Sequence, residues 1–139
     1  MTTNEKAREH VITLQALQSH VDQLQDQVQE LDEKTDEIAT MKHALQESSE
    51  LLDGQEVLVP VATGIFVPAR IRPEGKVYVN VGADTLVERT PTQARRMLDN
   101  QLDELASYRE SLQSQKTHAS KQLALAQQEA ARSVQEDVR

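Results

Sequence analysis

The side chains that most often carry out chemistry are scattered along this chain. Its four histidines are His10, His20, His43 and His118. None has metal-ligand spacing to another histidine or to a cysteine. The acidic run from Asp32 to Glu37 has the composition of a cation site, but on a helix its carboxylates point around the rod toward solvent. We therefore predict that the chain holds no metal.

The sequence also lacks the motifs of an activated serine or cysteine nucleophile and of a phosphate-binding loop. The chain has no cysteine, so a thiol nucleophile and a disulfide framework are excluded, and a reducing compartment would suit it. Its serines do not form a G-x-S-x-G elbow, and neither G-x-x-x-x-G-K-[ST] nor G-x-G-x-x-G occurs. We expect no enzymatic activity and no cofactor.

The helix-breaking residues divide the chain into three segments. All four glycines and all four prolines fall between positions 54 and 91. We therefore predict a helix over 1–53, a β segment over 54–90 and a second helix over 91–139. Aromatic residues make up only 2% of the chain, which argues against one large globular core.

The first segment has the heptad pattern of a coiled coil. One row, spaced by seven, is Leu17, Leu24, Leu31, Ile38, Leu45 and Leu52. The companion row is Leu14, Val21, Val28, Thr35, Lys42 and Ser49. A 3.5-residue apolar repeat keeps one stripe against a partner helix. We expect this helix to end near Asp53, with Gly54 as a left-handed C′ residue.

The last segment mirrors the first. Thr90, Pro91 and Gln93 have the pattern of an N-cap, an N1 proline and a capping box. The seam rows that follow are Leu98, Leu105, Leu112, Ala119 and Ala126, with companions Leu102, Arg109, Lys116, Leu123 and Ala130. Two rods of similar length joined by a compact segment predict an antiparallel intrachain coiled coil.

Between the rods the apolar period changes to two, which predicts four short strands in two hairpins. Apolar residues occupy both faces of these strands, so about 37 residues cannot bury them, and hairpin edges recruit other strands. We predict a mostly helical α+β fold whose hairpins complete a sheet or a β-barrel with strands of other subunits. The residues expected to mediate subunit assembly are Val57, Val59, Phe66, Val67, Val77, Tyr78 and Val79.

The net charge of −8 is concentrated on the first segment, where residues 1–53 carry 12 acidic and 4 basic groups. An acidic arm opposes phosphate backbones and anionic lipids, so we expect neither nucleic-acid nor membrane binding. The N-terminus lacks an apolar leader, and no run approaches the roughly 18 apolar residues of a membrane span. A cytoplasmic protein is the expectation.

Stretches of the β segment resemble the α-type subunit of archaeal prefoldin. They are Glu56–Val61 (EVLVPV), Gly64–Ile71 (GIFVPARI), Lys76–Ala83 (KVYVNVGA) and Val87–Thr90 (VERT). The motif likeness covers roughly residues 54–97, whereas the helix, two hairpins, helix layout covers the whole chain. Two hairpins favour the α type over the β type. The sequence departs at Ala69, where the family usually has glycine.

The resemblance implies an ATP-independent chaperone. Two α and four β subunits would assemble through their hairpins into a double β-barrel. The coiled-coil tips would bind non-native polypeptides for delivery to a group II chaperonin. The tip residues expected to contact clients are Val11, Leu14, Leu17, Val134 and Val138. They could instead only complete the coiled coil. The alternative function is a structural coiled-coil scaffold that holds no clients.

Overall fold

The computed structural model describes the backbone of residues 3–48, 50, 54–72 and 75–138, and the side chains of these residues apart from 3 and 136–138. Its elements are α1 (Thr3–Ser48), β1 (Glu56–Ala62), β2 (Ile65–Arg70), β3 (Val77–Asn80), β4 (Leu86–Arg89) and α2 (Pro91–Val138). Two long helices and two hairpins confirm the predicted fold class.

The chain divides into two compact units. One comprises Met1–Lys34 and Glu104–Arg139, and the other comprises Thr35–Asp103. We call the first the helical unit, because its described residues belong to α1 and α2. We call the second the mixed unit, because it contains all four strands together with the adjoining parts of both helices.

The helical unit is an antiparallel pair whose seam follows the predicted heptads. The described side chains of α2 that are at least half-buried there are Leu105, Arg109, Leu112, Lys116, Ala119, Leu123, Ala126, Ala130 and Ser133. On α1 the corresponding row begins at His10. Leu24 and Val28 form a buried cluster with Leu112 and Ala119. Interlocked side chains along this seam provide the core of the unit.

The start of α2 confirms the predicted capping box. Thr90 Oγ1 accepts a hydrogen bond from the Gln93 amide at 3.1 Å, and the Thr90 amide donates to Gln93 Oε1 at 3.0 Å. Pro91 is the first helical residue. These contacts satisfy amides that the first turn of a helix leaves without intrahelical partners.

The end of α1 differs from the prediction. The helix ends at Ser48, whose hydroxyl donates to the Leu45 carbonyl at 2.7 Å; such local bonds compete with helix continuation. Gly54 has a φ of +73°, but its amide donates to the Ile71 carbonyl at 2.9 Å. Gly54 therefore extends the first hairpin, and its predicted C′ role was wrong. Predicted helical residues Ser49 and 51–53 lie outside the described residues.

The first hairpin pairs β1 with β2 in antiparallel register. Val59 is opposite Val67, and Leu58 is opposite Pro68. The register shifts between Pro60 and Ala62, as expected where a proline removes a ladder donor. The turn ends at Gly64, whose φ of +78° suits glycine.

The second hairpin pairs β3 with β4, with Val79 opposite Val87. Its loop contains Ala83 and Asp84, which have φ of +50° and +57°, and the Thr85 amide donates to the Gly82 carbonyl at 3.0 Å. This is the backbone pattern of a type I′ turn, whose twist matches that of hairpin strands. Pro73 and Glu74, which follow β2 in the chain, lie outside the described residues.

Candidate functional surfaces

Large apolar side chains are exposed on the hairpins of the mixed unit. The exposed ones are Leu58, Val59, Val61, Ile65, Phe66, Val67, Tyr78, Val81 and Leu86. Among the predicted assembly residues, Phe66 is 56% and Tyr78 64% exposed, whereas Val57, Val77 and Val79 are half-buried. Exposed apolar surface of this extent is typical of an interaction site.

Strand pairing explains why these side chains stay exposed. Opposed residues in an antiparallel pair point to the same face, so Val59 and Val67 share one face while Pro60 and Phe66 share the other. Each sheet has two strands among the described residues. A two-stranded ribbon has nothing to cover a second apolar face and leaves outer backbone edges for further strands.

A groove in the mixed unit runs along one edge of β3. All four β3 residues line it, together with Met41, Leu45, Met97 and other residues of the helices. Because successive strand residues point to opposite faces, a groove that all four line must follow the strand's backbone edge. Met41 and Met97 are the only methionines after Met1, and both line this groove.

The predicted tip residues divide into two kinds. Leu14 and Leu17 are half-buried on the seam, whereas Val11 is 52% and Val134 62% exposed. Val11 follows seam residue His10, and Val134 follows seam residue Ser133. In an antiparallel coiled coil, residues that directly follow corresponding seam positions on the two helices lie on the same side of the seam. Val11 and Val134 therefore share one side, here called the flank. The side chain of Val138 lies outside the described residues.

Two exposed large aliphatic residues in the described part of the helical unit belong to neither heptad row and were not among the predicted tip residues. Ile12 is 65% and Leu125 64% exposed. Ile12 lines a shallow groove on α1 with Asn4, Ala7, Arg8 and Val11. Both could have been found in the sequence as apolar residues that belong to neither heptad row. Side chains at such positions face solvent and do not pack in the seam.

Polar seam residues contact the opposite helix. In the helical unit, Arg109 Nε lies 2.6 Å from Asp32 Oδ1 and Nη2 lies 3.3 Å from Oδ2, and Lys116 Nζ donates to Gln25 Oε1. In the mixed unit, Lys42 Nζ lies 2.6 Å from Asp99 Oδ1. The hydrogen bond from Arg109, aided by its charge, lowers the pKa of Asp32, and the same contact raises the pKa of Arg109.

The lowered pKa of Asp32 predicts a pH-dependent contribution to coiled-coil stability. A depressed carboxyl pKa stabilises the folded state above the unfolded value near 4, and the effect is lost as pH falls through the folded value. We expect Asp32→Asn to lower the melting temperature at pH 7, with a smaller difference from wild type when both are measured at pH 2. Thermal unfolding followed by circular dichroism tests this. Equal differences at both pH values would contradict it.

The described residues offer no grouping of side chains suited to hold a metal ion. Among them, no set of three or more His, Cys, Asp or Glu is arranged to hold a metal ion. Within the same residues, no helix is both long and apolar enough to span a membrane. The surfaces on which a function can be argued are therefore the exposed hairpin faces and the exposed apolar residues of the helical unit.

Comparison with known proteins gives consistent similarities. The family model described as "Prefoldin subunit" matches residues 17–136. Prefoldin subunit alpha of Thermofilum pendens is 40% identical over 63 residues, which cover 45% of this chain and 49% of that protein. The match therefore spans about half the length of that relative. The corresponding protein of Methanococcus vannielii is 26% identical over 120 residues, covering 86% and 80%.

A solved structure has a similar fold. A chain of filamentous prefoldin from Methanocaldococcus jannaschii superposes with a TM-score of 0.72 at 21% sequence identity. The similarity covers 80% of this chain and 92% of the other. It supports the arrangement of two long helices and two hairpins.

Proposed function

The chain belongs to the prefoldin family, and on that premise we propose that it acts as an α-type chaperone subunit that binds non-native polypeptides without ATP. The match extends over residues 17–136, and the similar archaeal proteins include prefoldin α subunits. The presence of two hairpins is the feature by which the resemblance favours the α type.

Assembly is assigned to the exposed hairpin faces. The observation that carries the proposal is that the aromatic side chains of Phe66 and Tyr78 are more than half exposed. Aromatic side chains dominate the energetics of many interfaces. The hairpins would complete a shared β-barrel with β-type subunits, two α with four β. Val57, Val59, Val67, Val77 and Val79 would pack within it.

Client binding is assigned to the apolar residues near the two chain termini. Val11 and Val134 are exposed on one flank of the antiparallel pair, and Ile12 lies beside Val11. Leu14 and Leu17, half-buried on the seam, would support these residues and contact a client only where the pair opens. Val138 belongs to the same proposed site.

Weak contacts suffice if several arms bind the same client. Burying one half-exposed valine contributes only about 1 kcal/mol, but contacts from several linked arms combine through a high effective concentration. Such binding is reversible, as release to a second chaperone requires. We propose a group II chaperonin as the recipient and the cytoplasm as the location.

The decisive experiment combines the chain with a β-type partner. We expect a hetero-oligomer that suppresses aggregation of a denatured test protein in the absence of nucleotide, measured by light scattering. The control is each subunit alone at the same total concentration. Assembly without suppression would support the alternative function, a structural coiled-coil scaffold. Salt-sensitive binding to nucleic acid would contradict the expectation drawn from the acidic first segment.

A further inference from the structure

Two cations occupy the seam of the helical unit. Arg109 and Lys116 belong to the heptad row that also contains Leu102 and Leu123, and both are half-buried. A polar or charged residue at such a position lowers coiled-coil stability but can specify register and partner. Specificity therefore explains these two residues better than packing does.

Each cation has an acceptor on the other helix. Arg109 makes a two-pronged contact with Asp32, and Lys116 donates to Gln25. Moving seven residues forward on α2, from Arg109 to Lys116, moves the acceptor seven residues back on α1, from Asp32 to Gln25. Both contacts therefore correspond to one antiparallel register. In the mixed unit, Lys42 and Asp99 have the same offset, since the residue numbers of each of the three pairs add to 141.

Other pairings would lose these contacts. A slip of one heptad would place Arg109 opposite Gln25 or Ala39 and would break its two-pronged contact with Asp32. Lys116 would then face Gln18 or Asp32, respectively, each of which has an acceptor oxygen. The slip is therefore opposed mainly by Arg109. A parallel pair of two α2 helices from different chains would place Arg109 against Arg109 and Lys116 against Lys116, because like positions meet in parallel coiled coils. Like charges in a seam disfavour that pairing.

We propose that Arg109 and Lys116 are a register lock, which selects the intrachain antiparallel pairing of α1 with α2 and prevents α2 from pairing with a second copy of itself. It acts by stabilising the native pairing and by destabilising a pairing between two copies of α2. In the native register each cation meets an acceptor, whereas in a parallel α2 pair each meets its own charge. This role is separate from client binding and from hub assembly.

The test uses engineered cysteines in the full chain, which contains none of its own. Val21→Cys/Ala119→Cys reports the native register, because Val21 packs against the cluster that contains Ala119 and the two residue numbers add to 140, within one of the native sum. Val28→Cys/Ala119→Cys reports a one-heptad slip, since these positions are about 10 Å apart along the axis in the native register, too far for a disulfide. Leu123→Cys alone reports α2 pairing between chains.

The background variant is Arg109→Leu/Lys116→Leu, which keeps the seam apolar and therefore folded. We expect the native-register disulfide in the wild-type background, and at least a fivefold rise in the slipped or interchain disulfide in the variant. Lys121→Leu/Arg132→Leu, the same chemical change at exposed positions, should leave all three probes at wild-type yield. The proposal is overturned if the seam variant shows the wild-type pattern, or if the exposed control changes equally.

Discussion

Replacing Val11 and Val134 with serine is expected to weaken client binding about 5- to 30-fold while leaving the hetero-oligomer intact. Both side chains are more than half exposed, so a bound client can cover them. Their combined loss removes about 1–2 kcal/mol of apolar burial per arm. The measurement is the subunit concentration needed to halve aggregation of a denatured test protein, with the mass of the complex as the check on assembly.

Two further variants make that result specific. Leu125→Ser removes an equally exposed apolar residue that lies outside the flank shared by Val11 and Val134, and it should leave client binding close to wild type. Leu14→Ser alters a seam residue and should mainly lower the melting temperature, because a polar group would enter the seam. The tip assignment fails if Val11→Ser/Val134→Ser binds clients normally, or if Leu125→Ser is just as weak.

The second large effect is expected at the hub. Phe66→Ser/Tyr78→Ser should reduce assembly with β-type subunits by at least about 30-fold, because truncating a central aromatic side chain of an interface commonly costs 2 kcal/mol or more. Since both residues are exposed in the single chain, its helices should remain folded. Light scattering or native mass spectrometry of the mixture measures the loss of complex.

The control for this change is a conservative substitution on the same hairpins. Thr63→Ser, in the exposed turn between β1 and β2, should leave assembly unchanged. Circular dichroism at 222 nm should be the same for wild type and both variants. Normal assembly of the Phe66→Ser/Tyr78→Ser chain would show that subunits do not meet through the apolar hairpin faces.

Periodic and local patterns predicted much of the fold. The two seam rows could be predicted because a heptad row depends only on residue types at fixed spacing. The Thr90–Gln93 capping box could be predicted because its partners are three residues apart. The four strands were predictable, because β-branched alternation stops at turn residues, and the structure has four strands in two hairpins. Gly54 was misread because glycine with a positive φ serves both helix ends and strand ends.

Properties that depend on contacts between distant segments were less accessible. The sequence placed Arg109 and Lys116 on the seam but did not identify their acceptors. The acceptors Asp32 and Gln25 lie 77 and 91 residues away along the chain, and their identity depends on the register between the two helices. Likewise, Val11 and Leu14 were predicted to form one tip site, although only Leu14 belongs to a heptad row. The paired structure shows that Val11 is exposed and Leu14 is half-buried.

The thin seam also affects how stability depends on temperature. The buried apolar side chains among the described residues are Leu24, Val28, Ile38, Ala94, Leu112 and Ala119, and none of the described side chains is fully buried. The heat-capacity change of unfolding grows with the apolar area newly exposed to water. The single chain should therefore have a heat-capacity change below the 12–15 cal/mol/K per residue typical of globular domains. Its stability curve should be shallow, and assembly, by covering the hairpins, should steepen it.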